Sequence, residues 1–219
     1  MIDIELLGSV EMLAKLTEDE LNRLSGTAEV RELRRGDTLF VEGDPSTELF
    51  VVSTGRIAIA KRSGDGRESL IALMEHGDLF GEMPLFDSQG RSAEARALEP
   101  SGVISIPYTG LREIYESRPD LLWGVAEMLT QRLRILDEAL ADTMFLDVTG
   151  RTAKRLLELA GDAQEFSLPI TQEELAGMVG ASRERVNKAI ASFIRLGWIE
   201  QHERRYQILD REQLERRAI

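Results

Sequence analysis

The chain has 219 residues, no cysteine, and 39 acidic against 27 basic side chains, for a net charge of −12. That length suits two modest domains, and the absent thiols exclude disulfides, cysteine-ligated iron–sulfur clusters and cysteine zinc sites. The two histidines, His76 and His202, stand apart, so no metal or haem is expected.

No apolar run approaches 18 residues and the N-terminus has no basic region ahead of an apolar stretch, so a cytoplasmic protein with no membrane association is expected. The charge is uneven. Residues 148–219 hold 12 basic and 11 acidic side chains, about +1, which leaves −13 for residues 1–147. An acidic body does not forbid DNA binding by a tail with local basic clusters.

Residues 11–25 place Met12, Leu13, Leu16, Leu21 and Leu24 near helical spacing, and Thr17 with Glu20 fits a capping box. From about residue 29 to 107 the pattern changes. Short β-branched or aromatic runs (Thr38–Val41, Leu49–Ser53, Ile57–Lys61, Ser69–Leu73, Val103–Ile106) alternate with glycines, among them Gly36, Gly43, Gly55 and Gly77. Such spacing predicts a barrel or jelly-roll-like sandwich. Gly43–Pro45 and Gly64–Gly66 are turn signals.

One stretch departs from plain strand and turn. Gly77, Asp78, Gly81, Glu82, Met83, Leu85 and Phe86 are followed by Arg91, Ser92 and Ala93. A glycine before a short helical turn exposes backbone N–H groups suited to an anion. Glu82 is able to accept from a sugar hydroxyl, while Arg91 and Ser92 offer donors to a phosphate. On composition alone a β-turn with a surface Arg–Glu pair fits equally well.

A long helical run is expected from about Leu111 to Phe145. Leu129, Leu133, Leu136 and Leu140 recur at steps of four, three and four, a heptad seam that calls for a second copy of itself. Arg132 and Asp137 flank it. After Leu146, Gly150 breaks the helical pattern and Asp147 or Thr149 is placed to cap the next helix.

In the tail, Leu175, Met178 and Val179 make one apolar face and Val186, Ile190, Phe193 and Ile194 a second, with Gly180 in the turn between and Ser182 as N-cap. This is the helix-turn-helix arrangement, against an ordinary helical hairpin. The exposed face of the second helix carries Ser182, Arg183, Glu184, Arg185, Asn187 and Lys188. Arg183 suits guanine, Glu184 suits cytosine N4, and Lys188 offers a further positive donor. Arg185 is a phosphate contact or simply solvated. Two short strands around a polar turn make a wing, with Arg204 and Arg205 as candidate DNA-backbone contacts and Trp198 as core.

The cassette Gly77–Ala93, the turns at Arg35–Asp37, Glu42–Pro45 and Ser53–Gly55, the hinge at Phe145–Arg151 and the helix-turn-helix together resemble the CRP/FNR family of transcription regulators, in particular its cyclic-AMP receptor branch. The resemblance runs from about residue 11 to the end. It implies an α+β chain: a β-roll cyclic-nucleotide-binding sensor over 1–110, a dimerisation helix and hinge over 111–146, and a winged helix-turn-helix over 147–219. It implies a nucleotide site of Gly81, Glu82, Met83, Arg91, Ser92, Ala93, Arg132, Leu136 and Asp137, and a dimer seam of Leu129, Leu133, Leu136 and Leu140. DNA contacts are implied at Thr171, Ser182, Arg183, Glu184, Arg185, Lys188 and Arg204.

The implied partners are a pseudo-palindromic duplex, a second subunit and RNA polymerase. Where the cyclic-AMP pattern has a pair of hydroxyl or amide side chains facing adenine, this chain has Leu136 and Asp137. Three readings stand: cyclic AMP with altered base contacts; cyclic GMP or a cyclic dinucleotide, with Asp137 accepting from guanine; or no ligand. No catalytic set is present, so an enzyme is not expected. A nucleotide-binding regulatory subunit is the competing class, and the helix-turn-helix speaks against it.

Overall fold

A computed structural model describes residues 2–62, 64 and 68–219. Asp65 and Gly66 of the second turn signal lie outside the described residues. The chain divides into two compact units, Met1–Lys61 with Ile71–Leu133, and Arg62–Leu70 with Arg134–Ile219.

The first unit opens with α1 (Ile4–Ser9) and α2 (Glu18–Ser25). The capping box at Thr17 and Glu20 is present, with the Thr17 N–H donating to Glu20 at 2.8 Å. A cap marks a beginning, so the helix expected over 11–25 starts at Glu18. Leu13 and Leu16 reach the core from a turn-like segment instead.

Eight strands follow: β1 (Glu29–Leu33), β2 (Thr38–Phe40), β3 (Glu48–Thr54), β4 (Ile57–Arg62), β5 (Glu68–Met74), β6 (Leu79–Phe80), β7 (Glu94–Ala97) and β8 (Ser101–Pro107). They form two four-stranded sheets, ordered β1-β8-β3-β6 and β2-β7-β4-β5. The pairings β3–β8, β1–β8 and β4–β7 are antiparallel. Leu49, Val51, Ile104 and Ile106 face a core shared with α1 and α2, while Phe50, Val52, Ile57 and Val103 face a second core. Alternation along β3 and β8 therefore buries both faces, which makes their sequence nearly continuously apolar.

The helical run expected from Leu111 to Phe145 is two helices. α4 (Tyr108–Ser117) ends at Arg118, a 3-10 turn spans Pro119–Leu121, and α5 runs Leu122–Phe145. Pro119 has no N–H and drives Arg118 out of helical conformation, which is the reason for the break. The seam of Leu129, Leu133, Leu136 and Leu140 lies wholly within α5 and is exposed.

In the second unit α6 (Val148–Ala160) follows α5, with β9 (Glu165–Ser167), α7 (Gln172–Val179), α8 (Arg183–Arg195), β10 (Ile199–His202), β11 (Arg205–Ile208) and α9 (Arg211–Arg217). Asp147 caps α6 by accepting from the Gly150 N–H at 2.8 Å. Gly150 is not the break. It is the third residue of α6, and a Cβ there would meet the Arg217 carbonyl at 2.9 Å, so the glycine admits the C-terminal helix. Arg217 pairs with Asp147, and the Gly150 hydrogen bond followed by that guanidinium holds the Asp147 carboxyl below the usual carboxylate range.

A depressed acid stabilises the fold at pH above its unfolded value of about 3.9, and that share is lost as pH falls through the folded value. Asp147→Asn keeps a capping oxygen and removes the titration. Its urea midpoint is therefore expected to fall less steeply than wild type between about pH 5 and pH 3. Asp147→Ala removes the cap as well and should cost about 0.5–2 kcal/mol in the same assay.

Candidate nucleotide and DNA sites

The cassette is built where β6 ends. Gly81 takes φ +78°, Glu82 turns into a short helix α3 (Met83–Asp87) with Pro84 in its first turn, and the chain returns through Arg91 to β7. Glu82 is 3 % exposed and does not cap α3. Its Oε1 accepts from Arg132 Nη1 at 2.5 Å, while Arg132 Nη2 donates to the Leu79 carbonyl at 2.7 Å. A buried carboxylate needs such a partner, and the partner comes from α5.

Arg91 is 5 % exposed, and burial lowers its pKa. Nη1 donates to the Gly81 carbonyl at 2.9 Å and to the Tyr108 hydroxyl at 3.3 Å, and Nη2 donates to the Glu48 carbonyl at 2.8 Å. The guanidinium lies over the Phe40 ring at 4.1 Å and near Phe50 at 5.2 Å. Both terminal nitrogens are thus committed, and the fork of donors expected from the sequence is not presented. Nε is buried without a hydrogen-bond partner. A buried donor left unpaired is costly.

A cavity of about 90 Å³ gathers Gly81, Glu82, Met83, Arg91, Ser92, Ala93 and Arg132, every expected pocket residue up to Leu133. Ser92 is exposed there, its hydroxyl at 3.4 Å from the Met83 sulfur. The lining residues fit the phosphate and sugar of a nucleotide: a guanidinium, a hydroxyl and a carboxylate. Leu136 and Asp137 are exposed on α5. A larger cleft of about 560 Å³ lies against Ser46, Tyr108 and Arg112, but it holds neither Arg91 nor Glu82.

Sequence reasoning missed Tyr108, whose hydroxyl bonds Ser46 at 2.7 Å and also donates to the Gly81 carbonyl. It also missed Phe40 and Phe50 as the surface on which Arg91 lies. No local spacing joins these residues, because strand pairing over long separations brings them together.

Gly81 is the position where the backbone decides the site. A Cβ there would stand 2.5 Å from Arg91 Nη1, on a φ that L-residues rarely adopt. Gly81→Ala is expected to cost about 1–2 kcal/mol from the left-handed backbone alone and to displace Arg91. Denaturant unfolding reads the first effect and nucleotide titration the second.

In the second unit the helix-turn-helix is α7, a turn at Gly180 with φ +67°, and α8. Leu175, Val179, Val186, Ile190 and Phe193 are buried. Ile194 departs from the expected face at 40 % exposure, and Ala189 packs in its place because it lies one turn from Val186 and Phe193. Thr171 caps α7 in a box with Glu174, and Ser182 caps α8 by accepting from the Arg185 N–H.

Ser182, Arg183, Glu184, Arg185, Asn187 and Lys188 are all exposed. Among the described residues the Arg183 and Arg185 side chains make no hydrogen bond or ion pair. Lys188 donates to Glu184 at 2.8 Å and holds that carboxyl below the usual range. The wing is β10 and β11, turned by Glu203 at φ 56° and extended by β9, a strand the sequence did not signal. Arg204 is partly committed to protein, donating to the Leu168 and Ile170 carbonyls at 3.3 and 3.2 Å. Arg205 is exposed, 3.9 Å from Glu165. Trp198 is half-buried and stacks on Phe193 with ring centroids 5.6 Å apart.

Among the described residues there is no group of three His, Asp or Glu side chains able to hold a metal ion, and no helix is long and apolar enough to cross a membrane.

Two family patterns match the chain: the cyclic nucleotide-binding domain over residues 30–118 and the Crp-like helix-turn-helix domain over 150–217. The CRP-like cAMP-activated global transcriptional regulator of Mycobacterium tuberculosis is 40 % identical over 191 residues, covering 84 % of this chain and 85 % of the relative. The chain belongs to the CRP/FNR family of transcription regulators. Vfr of Pseudomonas aeruginosa, a cAMP-activated global transcriptional regulator, is 32 % identical over 189 residues, 82 % of this chain and 88 % of that protein. The c-di-GMP responsive regulator CLP of Xanthomonas campestris superposes with a TM-score of 0.76 at 24 % identity, over 88 % of this chain and 99 % of that one, and at this identity it shows the shared fold. This member of the family therefore joins a cyclic-nucleotide-binding β-roll to a helix-turn-helix and acts in transcription regulation.

Proposed function

We propose that the protein is a homodimeric transcription regulator, located in the cytoplasm, whose binding to a pseudo-palindromic duplex is controlled by a cyclic nucleotide held in the β-roll, with cyclic AMP as the first candidate. The observation that carries the nucleotide reading is the cavity that gathers Gly81, Glu82, Arg91, Ser92 and Arg132, with the Arg91 guanidinium buried and its Nε left without a hydrogen-bond partner. A cyclic phosphate supplies the missing acceptor, Ser92 adds a donor, and Glu82, steadied by Arg132, accepts from the ribose hydroxyl. The cAMP-activated relatives support the choice of nucleotide.

The DNA reading rests on the exposed row Arg183, Glu184, Lys188 at the start of α8, with Thr171, Ser182, Arg185 and Arg204 toward phosphate. Two such units on a dimer call for half-sites about one helical turn apart. The dimer reading rests on the bare leucine seam of α5. RNA polymerase is the expected protein partner, and the protein is a regulator rather than an enzyme.

Leu136 and Asp137 favour a second reading on one point. They lack the hydroxyl donors of the cyclic-AMP pattern, so cyclic GMP or a cyclic dinucleotide enters as a competing effector. Titration calorimetry with the three nucleotides tests this: cyclic AMP is expected to bind at least about tenfold tighter, about 1.4 kcal/mol, and a preference for cyclic GMP or a cyclic dinucleotide overturns it. Saturating heat at none of them leaves a DNA binder without an effector.

A further inference from the structure

Asp137 is an exposed carboxylate beside an apolar seam. The seam leucines Leu129, Leu133, Leu136 and Leu140 are exposed by 41, 58, 57 and 57 %, and their four–three–four spacing fixes the heptad frame. Leu133 and Leu140 take position a, and Leu129 and Leu136 take position d. Arg132, just before Leu133, is then at g, and Asp137, just after Leu136, is at e. These are the positions that exchange ion pairs across a two-stranded coiled coil. In a parallel pair, g faces the partner's e five residues on, and Asp137 is five residues after Arg132.

Parallel orientation follows from function. Both DNA-reading units lie beyond the C-terminal end of α5, and a two-fold dimer facing one duplex needs them at the same end. The two side chains are free for the exchange. Asp137 is exposed and makes no hydrogen bond or ion pair among the described residues. Arg132 spends Nη1 on Glu82 and Nη2 on the Leu79 carbonyl, and a guanidinium has five N–H donors.

We infer that, in the dimer, Arg132 bridges its own Glu82 and the Asp137 of the partner subunit, so that Asp137 is a positioning residue for the nucleotide site across the seam. This rests on the homodimer proposed above. The chain Glu82–Arg132–partner carboxylate ties each cassette to the other subunit's helix. It neutralises Asp137, which therefore neither reads guanine nor repels the phosphate.

The test measures dimer dissociation by sedimentation for the full-length wild type, Asp137→Asn, Arg132→Gln and the double variant, at about 50 mM and about 1 M salt, with Leu140→Cys as a separate reporter. Each single change should weaken the dimer about three- to tenfold at low salt, consistent with two exposed ion pairs per dimer. The double variant should be no weaker than the worse single, the differences should shrink at high salt where the Debye length is about 3 Å, and Asp137→Glu should restore wild-type affinity. Leu140→Cys, the sole cysteine in a chain that otherwise has none, should cross-link its dimer on oxidation. Strictly additive effects in a dimer that does cross-link overturn the ion pair while leaving the homodimer reading intact. A dimer that fails to cross-link overturns the parallel seam and the pairing with it. A wild-type monomer overturns the homodimer reading itself.

Discussion

Arg91→Ala is expected to weaken cyclic AMP binding by at least about a hundredfold in titration calorimetry. Two effects combine. The variant loses a charged donor to the phosphate, and hydrogen bonds to charged groups are worth about 1.5–3 kcal/mol each. It also releases the Gly81 and Glu48 carbonyls and the Tyr108 hydroxyl, which Arg91 holds from inside the fold. The loop that presents Ser92 and Glu82 then keeps the Tyr108 and Arg132 hydrogen bonds but loses the guanidinium that ties it to β3. Loss of buried hydrogen bonds to a charged group is destabilising, so the variant should also unfold at lower urea. Arg91→Lys separates the parts: it keeps the charge and loses the planar reach to two carbonyls, and its affinity should fall between the two. Unchanged affinity in Arg91→Ala removes the phosphate assignment.

The second large effect is at the other end of the chain. Arg183 stands exposed at the first position of α8, capped by Ser182, with no partner to release before it meets DNA. Arg183→Ala should cost about 1–3 kcal/mol on the preferred operator and relax the preference at one base pair per half-site. Uniform weakening on all sequences makes it a phosphate contact. Glu184 and Lys188 differ, because they hold each other at 2.8 Å in the free protein. Reading bases requires that pair to open, so Glu184→Ala has the smaller effect on affinity.

Local features of the fold were legible in the sequence because their causes are local. Thr17 with Glu20, Asp147 and Ser182 cap the helices expected after them. The runs at β2, β3, β4, β5 and β8 were visible as apolar segments between turns. Strands β1 and β7 were not, since Glu29–Leu33 and Glu94–Ala97 carry charges that only their partners make tolerable. The break between α4 and α5 has a local cause as well, the single Pro119 in an otherwise good helical period.

The nucleotide site was legible as a set of residues but not as a geometry. Arg91, Ser92 and Glu82 do share a cavity with Arg132, yet Arg91 faces inward. The reason lies in Tyr108, Phe40 and Phe50, which sit 17, 51 and 41 positions from Arg91 and meet it through strand pairing alone.

Occupancy of the β-roll is expected to govern the affinity of α8 for DNA. Fluorescence anisotropy of a labelled operator fragment, titrated with the full-length protein at about 150 mM salt with and without saturating cyclic AMP, measures this directly. Coupling between sites in such regulators amounts to about 1–3 kcal/mol. The dissociation constant is expected to be lower by about 5- to 150-fold with cyclic AMP, with no such shift in Arg91→Ala. Equal affinity for the operator with and without the nucleotide, in a protein that binds both, contradicts it.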